Sequence, residues 1–197
     1  MGNGAIRMAG LVVAAGLVLS GCTGSPDADA DPSPPAEPTS ASPSASPSSS
    51  GPAKPERPDA MKRKDAKGAA AAAEYFLSLY SYTKVTGDTE EWDAMSHRAC
   101  AFCRTAMEHA NEISSNGDTY TGGELSMEVT QTYMKDDLTG IYPLDIDLTQ
   151  APFQVFNTDG ELIESSEGES LDRRVEVGRK DSAWIVVTVA PVPDGER

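Results

Sequence analysis

The chain has 197 residues, with 16 Lys and Arg against 31 Asp and Glu, a formal net charge of −15 and three cysteines. That balance excludes a polyanion partner: nucleic acid or an anionic wall polymer needs a basic stripe, and the only basic cluster, Lys62-Arg63-Lys64 with Lys67, borders a proline-rich segment. The residues beyond that segment suit one domain with a single core.

Met1 to Ala9 carries Arg7 as its only charged side chain, and Leu11-Val12-Val13-Ala14-Ala15-Gly16-Leu17-Val18-Leu19 is an unbroken apolar run. This is a signal peptide in outline, about half the roughly 20 residues that a membrane-spanning helix needs. Leu19-Ser20-Gly21-Cys22 follows and resembles the lipobox of bacterial lipoproteins. The resemblance implies diacylglycerol on the Cys22 thiol, cleavage just before it, and an address on the extracytoplasmic face of the cell membrane. Met1-Gly2 is no myristoylation start, because position six is Ile6 rather than Ser or Thr. Loss of residues 1–21 removes Arg7 and no acid, so the mature chain is more acidic still.

From Thr23 to Pro58 there is no Val, Ile, Leu, Met, Phe, Trp or Tyr, while ten of the 14 prolines and nine serines lie there. Such a segment buries too little apolar surface to offset the entropy of ordering, and should be a disordered tether. Extended, it would reach roughly 110 Å; as a coil, about 35 Å. A proline-motif ligand or an O-glycosylated stretch would share this composition. The organisation is therefore a signal peptide at 1–21, a lipidated cysteine and Ser/Pro-rich tether at 22–58, one domain at 59–193 and a tail at 194–197.

Ala69, Ala73, Phe76, Tyr80 and Thr83 recur at steps of four and three and predict a helix over 65–86, stopped by Gly87. Asp88-Thr89-Glu90-Glu91 is a start signal for a short helix carrying Trp92 and Met95. A third helix is expected over 100–115, with Phe102, Ala106, Ala110 and Ile113 on one stripe and Asn116-Gly117 ending it.

The period then becomes two. Leu125, Met127, Val129 and Tyr133 predict a half-buried strand, and Leu144, Ile146 and Leu148 alternate with Asp145 and Asp147, Phe153 and Val155 prolonging the apolar phase to a turn at 157–160. Residues 160–168 read as loose and polar. Residues 171–177 and 184–192 predict a closing hairpin whose second member, apolar on both faces, should be central. Helices followed by an antiparallel meander give an α+β fold: three N-terminal helices on a curved antiparallel sheet of about four strands.

That order, with the sheet end Asp181-Ser182-Ala183-Trp184-Ile185-Val186, resembles the nuclear-transport-factor-two-like cone. Ala72-Ala73-Glu74-Tyr75-Phe76, Thr86-Gly87-Asp88-Thr89 and Cys100-Ala101-Phe102-Cys103 resemble a family of actinobacterial lipoproteins whose domain has no assigned function. The resemblance implies the fold and the address, and no activity.

Once Cys22 is lipidated, Cys100 and Cys103 are an even pair outside the cytoplasm, and a disulfide is the default. A C-x-x-C at a helix start also suits a redox-active pair, but a thioredoxin-like site follows a strand, and here the pair lies between helices. His97, Cys100, Cys103 and His109 have the residue types of a zinc site, which an oxidised pair cannot serve, so no metal or cofactor is expected. A cone pocket needs inward polar groups; Gln131, in step with Met127 and Val129, and the helix tyrosines Tyr75 and Tyr80 are the candidates. Asp145 and Asp147 lie on the opposite phase and read as a solvated strand face. No catalytic motif emerges. The expectation is a non-catalytic binding or assembly module of the cell envelope, taking an envelope protein or a small apolar ligand. The alternatives are a pocket enzyme of the isomerase or hydratase kind and a thiol-disulfide redox protein.

Overall fold

The computed structural model of the protein describes residues 51–195. The signal peptide, Cys22 and most of the tether lie outside these residues. A 3-10 turn at Asp59–Lys62 precedes α1 (Ala66–Thr86). Asp65 caps α1 by accepting the Gly68 N–H at 3.1 Å, and Gly87, with φ of 71°, ends it in the left-handed region. Between these signals five successive alanines, 69–73, let neighbouring elements approach closely. Ala69, Ala72, Ala73, Phe76, Leu77 and Leu79 are at most 1% exposed, so α1 is the centre of the core.

The short α2 (Glu90–Met95) stacks Trp92 on Phe76 with ring centroids 4.0 Å apart. The Trp92 indole N–H donates to the Cys103 carbonyl at 2.9 Å, fastening α2 to α3 (Ala101–Asn116), which Gly117 closes. Near the chain start, Arg57 donates through Nε to Glu91 at 2.7 Å and lies over the Tyr75 ring, and Lys54 pairs with Asp88. Residues just before the first turn thus dock on α1 and α2.

Seven antiparallel strands follow: β1 (Thr119–Gly122), β2 (Leu125–Thr132), β3 (Tyr142–Gln150), β4 (Phe153–Phe156), β5 (Leu162–Ser166), β6 (Glu169–Lys180) and β7 (Ala183–Pro191). One sheet has the order β2-β3-β6-β7 and the other β1-β4-β5. The fold is α+β, with three helices packed on antiparallel sheets. β1 runs into β2, β3 into β4 and β5 into β6, so the small sheet continues the large one past a bend.

The bend is a line of special residues. Gly122 and Gly168 have φ of 76° and 86°. A Cβ on Gly122 would stand 2.3 Å from the Pro152 carbonyl oxygen, and one on Gly168 would stand 2.6 Å from that of Gln150. Only glycine permits both the dihedral and the approach. Pro152, lacking an N–H, makes the matching break between β3 and β4. This explains why seven strands appear where about four were expected: each long strand is cut at the corner, and the polar stretch 160–168 holds β5.

Three expectations are corrected. β7 is an edge strand rather than a central one. Trp184, Val186 and Val189 are buried on one face. Its open edge is covered by the chain after α2, where the His97 N–H donates to the Val186 carbonyl at 2.9 Å. The β2 alternation reverses at a bulge between Val129 and Gln131, so Gln131 and Tyr133 fall on the outer face rather than in phase with Met127. Asp145 is 6% exposed rather than solvated, while Asp147 is exposed. The Tyr133 hydroxyl donates to Asp145 at 2.7 Å, and Arg174 grips the same carboxylate through Nε at 2.7 Å and Nη2 at 3.0 Å. The guanidinium holds the Asp145 pKa below its ordinary value.

The corner yields a stability prediction. Gly140 has φ of 74°, but a methyl group added there would meet nothing within 4 Å, whereas one on Gly122 would meet the Pro152 carbonyl. Gly140→Ala should cost about 1 kcal/mol, the penalty of the left-handed region alone. Gly122→Ala should cost clearly more, as read from urea unfolding midpoints.

Candidate functional site

The residues singled out in the sequence do not form one site. Tyr75, on the α2 side of α1, donates its hydroxyl to Glu91 at 3.1 Å. Gln131 lies on the outer sheet face. Tyr80 faces α3, with its ring 6.0 Å from that of Phe102. Gln131 borders a groove with the buried Asp145, which Arg174 already pairs, whereas Tyr80 borders a groove whose buried ionisable group has no carboxylate in direct contact among the described residues.

That group is Lys84, one turn beyond Tyr80 on α1 and 2% exposed. Its Nζ lies 2.6 Å from His109 Nδ1, 4.8 Å from the centre of the Tyr80 ring and 5.8 Å from that of Tyr120. His109 Nε2 is 3.1 Å from Glu164 of β5. A carboxylate accepts only and an ammonium donates only, which fixes the tautomer: Nε2–H donates to Glu164 and Nδ1 accepts from Lys84. The relay links α1, α3 and the small sheet. Above it opens a groove of about 380 Å³ with Tyr80, Phe102 and Ala106 on its walls and Glu108, Glu112 and Glu164 around it.

The electrostatics separate this lysine from the others. Burial lowers its pKa to about 8, with only partial compensation from Glu164. The same desolvation raises the pKa of Tyr80, and raises that of Tyr120, whose buried hydroxyl has no hydrogen-bond partner among the described residues. Sequence reading passed over Lys84, although it continues the stripe of Phe76 and Tyr80, where a lysine among core positions is a signal.

The cysteine pair lies elsewhere. Cys100 and Cys103 are joined by a disulfide with Cα atoms 5.2 Å apart, and each is 1% exposed. Cys100 is the N-cap of α3, and its Sγ accepts the Cys103 N–H at 3.1 Å. His97 Nδ1 accepts the Ala99 N–H at 3.2 Å, and His109 belongs to the lysine relay, so neither histidine is directed at the sulfurs. No group of three or more potential metal ligands occurs among the described residues.

Residues 43–190 match a family of unknown function, DUF6318. The chain belongs to that family. No curated protein matches the chain. Among solved structures, this DUF6318 protein is similar to the intermembrane space region of the chloroplast protein ARC6. The identity is 14% and the TM-score 0.50, over 66% of this chain and 99% of that one. Weaker likenesses are to a periplasmic fragment of TraM, at 12% identity and TM-score 0.40 over 62% of this chain and 93% of that one. Aln2 from a Streptomyces species follows at 10% and 0.34, over 61% and 87%. The ARC6 likeness bears on the fold alone.

The buried lysine makes stability depend on pH. The folded Lys84 pKa of about 8 lies below the ordinary 10.5, so between these values the unfolded chain holds a proton that the folded domain has released. Stability contributed by this group should therefore rise with pH across that window, by up to about 3 kcal/mol, and Lys84→Met should remove the rise. Urea titrations of both proteins at several pH values give the difference directly. For the cysteines, Cys100→Ser with Cys103→Ser should cost about 2 kcal/mol, given the short loop, and leave the circular dichroism spectrum unchanged.

Proposed function

We propose that this protein is a lipid-tethered binding module on the extracytoplasmic face of a bacterial cell membrane, and that the groove over Lys84 is its ligand site. The observation that carries the binding role is Lys84 itself. A charge kept at 2% exposure without a carboxylate partner costs stability, and such costs concentrate where a ligand is met. The apolar part of the groove wall, Tyr80, Phe102 and Ala106, suits a small ligand with an apolar body.

The anchoring half of the reading rests on Leu19-Ser20-Gly21-Cys22, the apolar run before it and the Ser/Pro-rich tether after it. Among the described residues no helix is long and apolar enough to cross a membrane; in this reading lipid on Cys22 supplies the attachment. We assign the bent sheet and its helices to the nuclear-transport-factor-two-like cones, and the chain to the actinobacterial lipoproteins its motifs resemble. A pocket enzyme of the isomerase or hydratase kind is the second reading, favoured by the Lys84-His109-Glu164 relay, whose open groove gives less exclusion of water than such chemistry uses. A redox role is disfavoured by the burial of both sulfurs.

Cys22→Ala should shift the protein from the membrane fraction to the soluble one, or leave an uncut precursor, on immunoblots of fractionated cells. Unchanged membrane retention would end the lipoprotein reading. Ala106→Trp should fill the groove. Mass spectrometry of protein purified in detergent should show a small molecule with the wild type that this variant lacks; identical profiles would remove the groove from the function.

A further inference from the structure

Taking the groove as the ligand site, we infer that Lys84 binds its ligand covalently, as an imine with an aldehyde or ketone carried on an uncharged apolar body. An activated nucleophile needs a base within hydrogen-bond reach and a third group orienting that base. Here the nucleophile is Nζ of Lys84, the base is His109 Nδ1 at 2.6 Å, and Glu164 holds the far side of the imidazole at 3.1 Å. The three come from α1, α3 and β5, so the constellation is a product of the tertiary fold rather than of one helix face. Burial keeps an appreciable fraction of the amine unprotonated near neutral pH, in contrast to the six remaining lysines, all of them exposed.

The step balances without an oxidant. The Nζ lone pair attacks the carbonyl carbon, the C=O π pair moves to oxygen, and the proton released by nitrogen passes to His109 Nδ1, where Glu164 stabilises the imidazolium. The imidazolium returns that proton to the alkoxide, giving a neutral carbinolamine and a neutral His109; His109 then takes the second N–H proton as the C=N bond forms and delivers it to the hydroxyl, which leaves as water. The products are one imine and one water, and hydrolysis reverses the sequence to release the ligand. The other titratable residues facing Lys84 are Tyr80 and Tyr120, which present their rings to Nζ, and both are held protonated by their raised pKa values.

The walls select the ligand. Tyr80, Phe102 and Ala106 offer apolar contact, while Glu108, Glu112 and Glu164 repel anions. Keto acids are therefore poor candidates, and neutral aryl or alkyl aldehydes are good ones. The experiment uses the full-length protein in detergent with benzaldehyde and sodium cyanoborohydride, which reduces an imine to a stable amine, followed by peptide mapping. At a pH just below 8, Lys84 should be labelled at least about ten-fold faster than any other lysine. That preference should shrink as pH rises past the lysine pKa of about 8, and His109→Gln should slow labelling by about 10²-fold. Label confined to exposed lysines would overturn the inference. If saturable shifts of the Tyr80 and Phe102 ring resonances still report benzaldehyde in the groove, only the covalent step fails; if those shifts are absent too, the groove fails as a ligand site for this class.

Discussion

The corner in the sheet is the constraint on which the rest of the molecule depends. Gly122, Pro152 and Gly168 let three long strands fold over at one line, and at Gly122 and Gly168 the backbones come so close that no Cβ fits. Without the bend, β1 and β5 would continue the plane of the large sheet and leave the helices open on one side. With it, Tyr120 of β1 and Glu164 of β5 are carried to the last turn of α1 and the middle of α3, where they meet Lys84 and His109. The groove is therefore made where a bent sheet meets two helices, and its chemistry comes from elements far apart in sequence.

Two buried charges show how different the environments inside one small domain are. Asp145 sits on the outer face in a closed set of partners, with a bidentate guanidinium and a tyrosine hydroxyl, and its pKa falls because the charged form is favoured. Lys84 is more deeply buried and has an imidazole where a carboxylate would be, and its pKa falls because the charged form is disfavoured. The same direction of shift means stabilisation in the first case and cost in the second. A paired charge of the Asp145 kind fixes register between β3 and β6; a partly compensated one of the Lys84 kind is the sort that concentrates at functional sites.

The helices were legible in the sequence because their signals are local: Asp65 and Gly87 bracket α1, Gly117 ends α3, and apolar steps of three and four lie between. The α+β class followed from the change of period. What escaped was every feature set by cross-strand geometry. The bulge between Val129 and Gln131 inserts one residue and reverses the facing of Gln131 and Tyr133, and no residue type there announces it. Asp145 lay on the polar phase of its strand, and its burial depends on Arg174, its neighbour in the β3 to β6 register. Lys84 was visible as a lysine one turn past Tyr80, but its relay needs His109 and Glu164, which only the bend brings within reach.

The disulfide completes this logic from the other side of the groove. A bond between residues three apart closes so short a loop that it removes little entropy from the unfolded chain, so its effect is local. It fixes the first turn of α3, where Cys100 accepts the Cys103 N–H and the Cys103 carbonyl receives the Trp92 indole. Phe102, Ala106 and His109 lie within the next two turns of the same helix and form one wall of the groove. A helix start that frayed would move those side chains relative to Lys84, and an interaction at 2.6 Å between side chains of two helices tolerates little such motion. The cross-link therefore serves the geometry of the relay more than the global stability of the domain.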